Sequence, residues 1–406
     1  MGKGTFILTA DQRQKPYPVA LDCTIPKFRL VRAGKVIFPS QEISAVFRSS
    51  GLLSGEKLAV SRLQLNTPPL ALQASGNILR AKETTIDLQG KQTVDFAAVA
   101  QLVKVYTGMN LVMRGRRPQN FSVDTALDKK GLEKGRFGTS LWLEKLKFSG
   151  IEAGPLTIPV SLAGGSLQAG IGGGLNSGRL SIDTTYHLAA RPPAITMPEK
   201  SPILTNVRID KPLADGVLAK IHPLFGVLAS PSGSVSGTME QFYWPVTKGG
   251  GDKARFQVVF DVSRVALDSR GVLQEVLRLL HVADQTLTLK ESEITCTGRN
   301  GRIGCTPVRV LVADSEMTIS GSVGLDQTID YLLEIPVTEK LIGREGARVL
   351  EGTTIKVPIR GTLKKPDFNR NMITDTLSDL AGQAAKKAIK DEVKKLVPGL
   401  FKGLKF

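Results

Sequence analysis

Histidine, aromatic side chains, cysteine and long apolar runs are all scarce in this chain, and each shortage removes a class of function. Only 3 histidines occur in 406 residues, and His187, His222 and His281 lie in unrelated contexts. No HExxH, no G-x-S-x-G and no cysteine pair at zinc-ligand spacing is present. Cys296 and Cys305 have no histidine nearby and make a poor zinc site. No carboxylate pair is singled out by its context, so no enzyme, cofactor or metal is expected. No apolar run reaches the roughly 18 residues that a membrane-spanning helix needs. Met1-Gly-Lys is followed only by Thr5-Phe-Ile-Leu-Thr, too short an apolar core for a signal peptide. Nucleic acid is not an expected partner either. The formal charge is +17, but aromatics make up only 5% and do not interleave with Lys and Arg on a recognisable module. The densest arginine site, Arg114-Gly-Arg116-Arg117, lies between strand-like runs and reads as a solvated loop.

Glycine (41) and proline (22) are plentiful instead, which favours many turns and thin sheets over one large globular core. The clearest stretch runs from Gln285 to Pro366. Ile294 and Cys296 alternate with polar neighbours up to a turn at Asn300-Gly301. Ile303 and Cys305 follow, then Val308, Val310 and Val312 beyond a register break at Pro307. Met317, Ile319, Val323 and Leu325 alternate next, then Ile329, Tyr331, Leu333 and Ile335, and finally Ile355, Val357 and Ile359. Period two over so many segments predicts an antiparallel meander with one apolar and one polar face.

A two-residue hairpin at Asn300-Gly301 places Cys296 opposite Cys305 in a non-hydrogen-bonded pair, where Cα atoms approach to about 4.5 Å. Two readings fit the pair: a disulfide, which would imply export, or two small apolar residues packed across the hairpin. Cys23 has no evident partner.

The rest of the chain repeats the pattern. Strand-like alternation covers residues 1–48, 56–90 (broken at Pro68-Pro69) and 138–190. Helical spacing is confined to Thr93–Thr107, stopped by Gly108, to Ser269–His281, and to 212–229 with a kink or break at Pro223. Gly170-Ile-Gly-Gly-Gly174 opens no helix, so it reads as strand-turn-strand and not as a phosphate loop. Lys248-Gly-Gly-Gly251-Asp252 is the best internal linker. It divides a segment 1–247 from 252–366, and 371–406 forms a third part.

From Asn371 the period changes to 3.6. Ile373, Leu377, Leu380, Ala384 and Ala388 form a stripe that Ile389, Val393, Leu396 and Leu400 continue. From Lys386 to Phe406, seven lysines, among them Lys386, Lys387, Lys390 and Lys394, stand against Asp391 and Glu392, a net +5. Such a helix either lies on an anionic membrane surface or plugs the open end of the sheet.

The run Met317-Thr-Ile-Ser-Gly321-Ser-Val-Gly-Leu-Asp326-Gln-Thr-Ile-Asp330-Tyr331-Leu, with Ile355-Lys-Val-Pro358-Ile-Arg-Gly361-Thr-Leu-Lys-Lys-Pro366, resembles the C-terminal region of AsmA-like bacterial envelope proteins. The resemblance covers roughly 255–370 and rests on alternation and glycines. It implies an elongated antiparallel β-meander forming a groove or half-barrel, with a few short helices. The expected activity is non-enzymatic: phospholipid is carried between inner and outer membranes, acyl chains on the apolar face and headgroups at the polar rim. On this reading Ile319, Val323, Leu325, Tyr331, Leu333, Val357 and Ile359 line the groove, because few segments are available to cover their face. The implied setting is the periplasm, in association with a membrane surface. The family's N-terminal membrane anchor is not read in this chain, which suggests a fragment or an unusual start. The alternative is a scaffold whose open strand edges pair with an outer-membrane protein partner during assembly.

Overall fold

Period-two alternation becomes an antiparallel ladder through most of the chain, and the protein is mainly β with few helices. The structure is a computed structural model and describes residues 5–11, 13, 18–32, 35–50, 56–82, 84–126, 131–221, 233–263, 266–268, 271–279, 286–289, 293–312, 315–339, 344, 346–348, 350 and 352–396. The chain falls into two units, Met1–Val207 with Thr238–Gly250, and Arg208–Gly237 with Gly251–Phe406. The division at Gly250 lies inside the glycine-rich run, where Gly250–Lys253 forms a single helical turn. Residues 208–237 and the C-terminal helix Arg370–Leu396 both belong to the second unit.

In the first unit, Thr5–Ala10, Pro18–Arg32, Lys35–Ser50, Lys57–Thr67, Leu70–Arg80 and Thr84–Val94 pair each with the next. Pro68-Pro69 forms a hairpin turn between two of them. Thr84–Val94 then pairs with Pro118–Ala126, and the ladder continues through Arg136–Leu143, Ile151–Ala163, Ser166–Leu175 and Gly178–His187. Gly170–Gly174 lies wholly inside Ser166–Leu175, and the turn comes later, at Asn176-Ser177. Two helical segments interrupt the ladder, the single turn Gly131–Lys134 and one longer helix. The longer one runs from Phe96 to Thr107 because Asp95 caps it, accepting the Ala97 and Ala98 N–H groups at 3.0 and 3.1 Å. Gly108, at φ 73°, ends it in the left-handed conformation. Thr93 and Val94, expected in the helix, stay in the strand, where they pair with Ala71 and Leu70.

The second unit carries the Gln285–Pro366 meander. Arg255–Ser263, Glu293–Arg299, Arg302–Val312, Ser315–Gly324, Thr328–Pro336, Thr354–Thr362 and Pro366–Phe368 pair in sequence. Asn300 and Gly301 both have positive φ, 52° and 70°, as a two-residue hairpin of this kind requires. Cys296 is the direct partner of Cys305, and the two sulfurs are bonded. A bulge separates Cys305 from Val308, at the break that Pro307 imposes.

A layer of helical segments accompanies this sheet. Lys211–Leu213, the wide turn Ala214–Leu218 and Ala219–Ile221 follow one another; residues 222–232, including Pro223, lie outside the described residues. Gly271–Leu279 is the second helix, and Arg370–Leu396 the third. Leu213, Leu218, Val276, Leu277, Ile373 and Leu380 are all buried. Arg370–Leu396 packs on strand Thr354–Thr362, and Gly271–Leu279 on Pro366–Phe368. Arg370 and Glu275 tie these two helices together at 2.8 Å.

Replacing Cys296 and Cys305 by serine together opens a short loop, and loop-closure entropy sets the expected loss at about 2–3 kcal/mol. Urea unfolding of the double variant against the oxidised parent measures it, and an unchanged midpoint would contradict the bridge.

Candidate apolar binding face

Cross-strand register assembles apolar residues from distant parts of the first unit into continuous rows. Val60, Gly76, Leu88, Val123, Phe137, Leu162, Leu167, Tyr186, Ile195 and Trp244 are direct partners, each of the next, across ten strands. A parallel row joins Phe47, Leu63, Ala74, Gly90, Phe121, Thr139, Val160 and Ala169. Direct partners lie on one side of a sheet, so both rows belong to one face. The intervening positions form the polar face, for example Gln64, Gln73, Lys91 and Asn120, again partners in series.

Two glycines let the strands close up where the rows begin. A Cβ at Gly76 would fall 2.0 Å from the Asp87 carbonyl oxygen, and one at Gly90 would fall 1.9 Å from that of Gln73. At this point Val60, Ala74, Leu88 and Phe121 form a small buried cluster, with Phe47, Leu63, Leu72, Ile78, Ile86, Val123 and Phe137 packed around it.

Beyond the four residues of that cluster the cover is uneven: Leu143, Leu156, Leu162 and Leu175 are buried, while other positions of the face are half-covered. Leu65, Phe137, Leu141, Ile158, Val160, Leu167, Ile182, Tyr186, Ile195 and Trp244 are intermediate in exposure, and Ile171 is 37% exposed. Among the described residues the unit has one helix longer than a single turn, Phe96–Thr107. That helix buries Phe96 and Ala100 beside strand Leu111–Arg114 and also touches strand Lys35–Ser50. Polar side chains interrupt the face at Gln92, Gln119, Thr139 and Thr184. The Gln92 amide donates to Thr139 Oγ1 at 2.6 Å, and that hydroxyl donates to the Asn120 carbonyl at 3.0 Å, so the polar atoms are satisfied locally.

The residues expected to line a groove sit elsewhere, in the second unit. Ile319, Leu333 and Val357 are direct partners in one row, and Tyr331 and Ile359 pair in the next, with Val323 beside Ile329. The register brings these six together on one face. Leu325 stands apart at a turn and is 45% exposed. The open face expected here is instead covered: Ile319, Val323, Tyr331, Leu333 and Val357 are 8% exposed or less, and Ile359 is half-buried. The physical reason is the helical layer. Ile373 and Leu380 of the C-terminal helix are buried where that helix packs on strand Thr354–Thr362, and Ile221 holds its carbonyl oxygen 3.9 Å from the Cys305 sulfur. Burial also pushes the Tyr331 phenol well above its usual pKa, against a smaller opposing effect from Arg302.

Of the residues assigned to a membrane-surface helix, Leu377 is half-buried, Leu380 buried and Lys386 exposed. Lys387, Lys390, Val393, Lys394 and Leu396 belong to the same helix, but their side chains lie outside the described residues. No helix among the described residues is long and apolar enough to cross a membrane, and no group of three metal-binding side chains occurs among them. The half-covered rows of the first unit escaped sequence reasoning because each strand alone gives the same alternation. The available signal was the shortage of helical segments between residues 56 and 190.

No protein-family model matches this chain, and no curated protein or solved structure matches it.

Truncation separates a filled core from a half-covered face. Leu333→Ala is expected to cost about 2–5 kcal/mol, whereas Leu65→Ala, which removes a half-exposed side chain, is expected to cost about 1 kcal/mol. Denaturant unfolding of both variants checks this, and equal losses would mean that the first unit's face is sealed.

Proposed function

We propose that the protein is a non-enzymatic phospholipid-binding protein of the bacterial envelope, and that acyl chains lie along the half-covered apolar face of its first unit. The observation that carries this reading is the unbroken row from Val60 to Trp244. Ten strands at ~4.8 Å spacing make that row about 43 Å long, more than an extended acyl chain needs. An apolar row of this extent that stays half-exposed over much of its length is uncommon in a soluble protein unless something occupies it. The mechanism is passive and uses no catalytic residue or cofactor: chains exchange along the rows while headgroups remain at the polar strand ends. The AsmA-like resemblance of residues 255–370 supports the lipid class and a periplasmic, membrane-associated setting. The Cys296–Cys305 bridge supports an oxidising compartment. On this reading the lysine-rich end of the C-terminal helix rests on anionic membrane, while its first turns stay docked on the second unit's sheet.

An assembly scaffold is the second reading, and a specific observation favours it. Among the described residues Thr5–Ala10 pairs on one side only, and Ile7 and Leu8 are 55% and 68% exposed. Such an edge offers backbone groups to a partner strand, here an outer-membrane protein.

A photo-crosslinking residue at Phe137 or Leu167 is expected to capture phospholipid in cells, and one at the opposite-phase Asn120 or Gln168 is not. Capture of protein strands at Thr5–Ala10 with no lipid at Phe137 would favour the scaffold.

A further inference from the structure

The polar strand ends of the first unit contain one site where positive charge is concentrated and left unbalanced. Strands Leu111–Arg114 and Pro118–Ala126 would be one strand but for Gly115-Arg116-Arg117. Gly115 is at φ 142°, and a Cβ there would fall 2.9 Å from the Glu144 nitrogen, so the break is held by close backbone contact. Two hydrogen bonds anchor it: the Glu144 N–H donates to the Arg114 carbonyl at 2.8 Å, and the Phe96 N–H to the Gly115 carbonyl at 3.2 Å. What the sequence presents as a solvated loop is therefore a fixed interruption in a ladder.

The charges around it do not cancel. Arg114 is the direct cross-strand partner of Lys145, an unfavourable like-charge pair. Lys145 turns to Glu152 at 2.6 Å, and Lys147 does the same at 3.1 Å, which holds the Glu152 carboxyl below its usual pKa. That carboxylate is thereby occupied. Asp95 is committed to capping helix Phe96–Thr107. Glu144 makes no ion pair within 4 Å among the described residues. Arg114, Arg116 and Arg117 are all exposed, and none has a carboxylate partner among the described residues. Arg117 is held with its guanidinium carbon 4.1 Å from the centre of the Trp142 ring, which fixes its direction without neutralising it.

We propose that Arg114, Arg116 and Arg117 bind the phosphate of an anionic phospholipid headgroup whose acyl chains lie on the apolar face, reached around the strand ends. Arg114 pairs with Lys145, and Arg117 stacks on Trp142, whose partner Thr157 alternates with the apolar-face Ile158, so these arginines stand on the polar side of the rim where a headgroup would sit. Guanidinium groups recognise phosphate oxygens through paired N–H donors, and three held at one strand break select an anionic over a zwitterionic headgroup. The inference rests on the lipid-binding reading and adds the headgroup class to it.

The chain has 2 tryptophans, Trp142 beside Arg117 and Trp244 in the apolar row, and the difference in emission between the unsubstituted parent and Trp142→Phe isolates the Trp142 signal. In the full-length protein, that signal is followed while dispersed short-chain phosphatidylglycerol, short-chain phosphatidylcholine or inorganic phosphate is added. Phosphatidylglycerol is expected to saturate the signal at a concentration about tenfold below phosphatidylcholine, and phosphate alone to reach saturation only at far higher concentration. Arg114→Gln, Arg116→Gln and Arg117→Gln combined should abolish the headgroup preference while lipid capture at Phe137 persists. Retained preference in that variant would overturn the headgroup site and leave the apolar face standing. Saturation by phosphate as readily as by phosphatidylglycerol would overturn the lipid as its source. Loss of Phe137 capture in the parent would remove the lipid-binding reading itself.

Discussion

Every apolar surface in this molecule is set by the pairing register of its antiparallel ladders. Side chains alternate across a strand, and direct partners share a side, so one register assigns the face of every residue in the ladder. Val60 and Trp244 lie far apart in the chain, yet nine successive pairings put them on one face. The bulge between Val60 and Leu63 shows how strict this is. An extra residue on that strand restores the phase, so that Val60 and Leu63 both meet the apolar face through Gly76 and Ala74.

A ladder fixes which face is apolar but not what covers it. In the second unit three helical pieces supply the cover, and the result is an ordinary core in which Leu333, Ile355 and Val357 are almost completely buried. In the first unit most described strands follow one another through short hairpins, and the connections that hold helix make Phe96–Thr107 and the single turn Gly131–Lys134. The same alternation therefore yields a filled core in one unit and a half-covered face in the other. Helix content per strand, not hydrophobicity, makes the difference.

Charge follows a similar logic. On the polar face of the first unit some cations have a carboxylate within reach, as in Arg48 with Asp22 at 2.8 Å and Arg136 with Asp124. Exposed pairs of this kind contribute little to stability, but they do remove unbalanced charge from a surface. Arginines 114, 116 and 117 stand close together with no carboxylate partner among the described residues, and their strand break is braced by backbone hydrogen bonds. Unbalanced charge held on a rigid element is better suited to binding than to folding.

The sequence by itself determined the strand phases, the Asn300-Gly301 turn, the cross-strand position of Cys296 and Cys305, the break at Pro307 and the stop at Gly108. Each of these depends on a few neighbouring residues: period two, positive φ, a missing proline N–H, a left-handed glycine. The start of the first helix was displaced by three residues because Thr93 and Val94, helical in spacing, gain ladder partners that lie elsewhere in the chain. Only the tertiary structure decided which apolar face is covered. Ile319 and Phe137 alternate alike within their strands, and nothing local distinguishes them. Their different burial goes with helices distant in sequence, Gly271–Leu279 and Arg370–Leu396, which pack on strands Pro366–Phe368 and Thr354–Thr362 of the second unit's ladder.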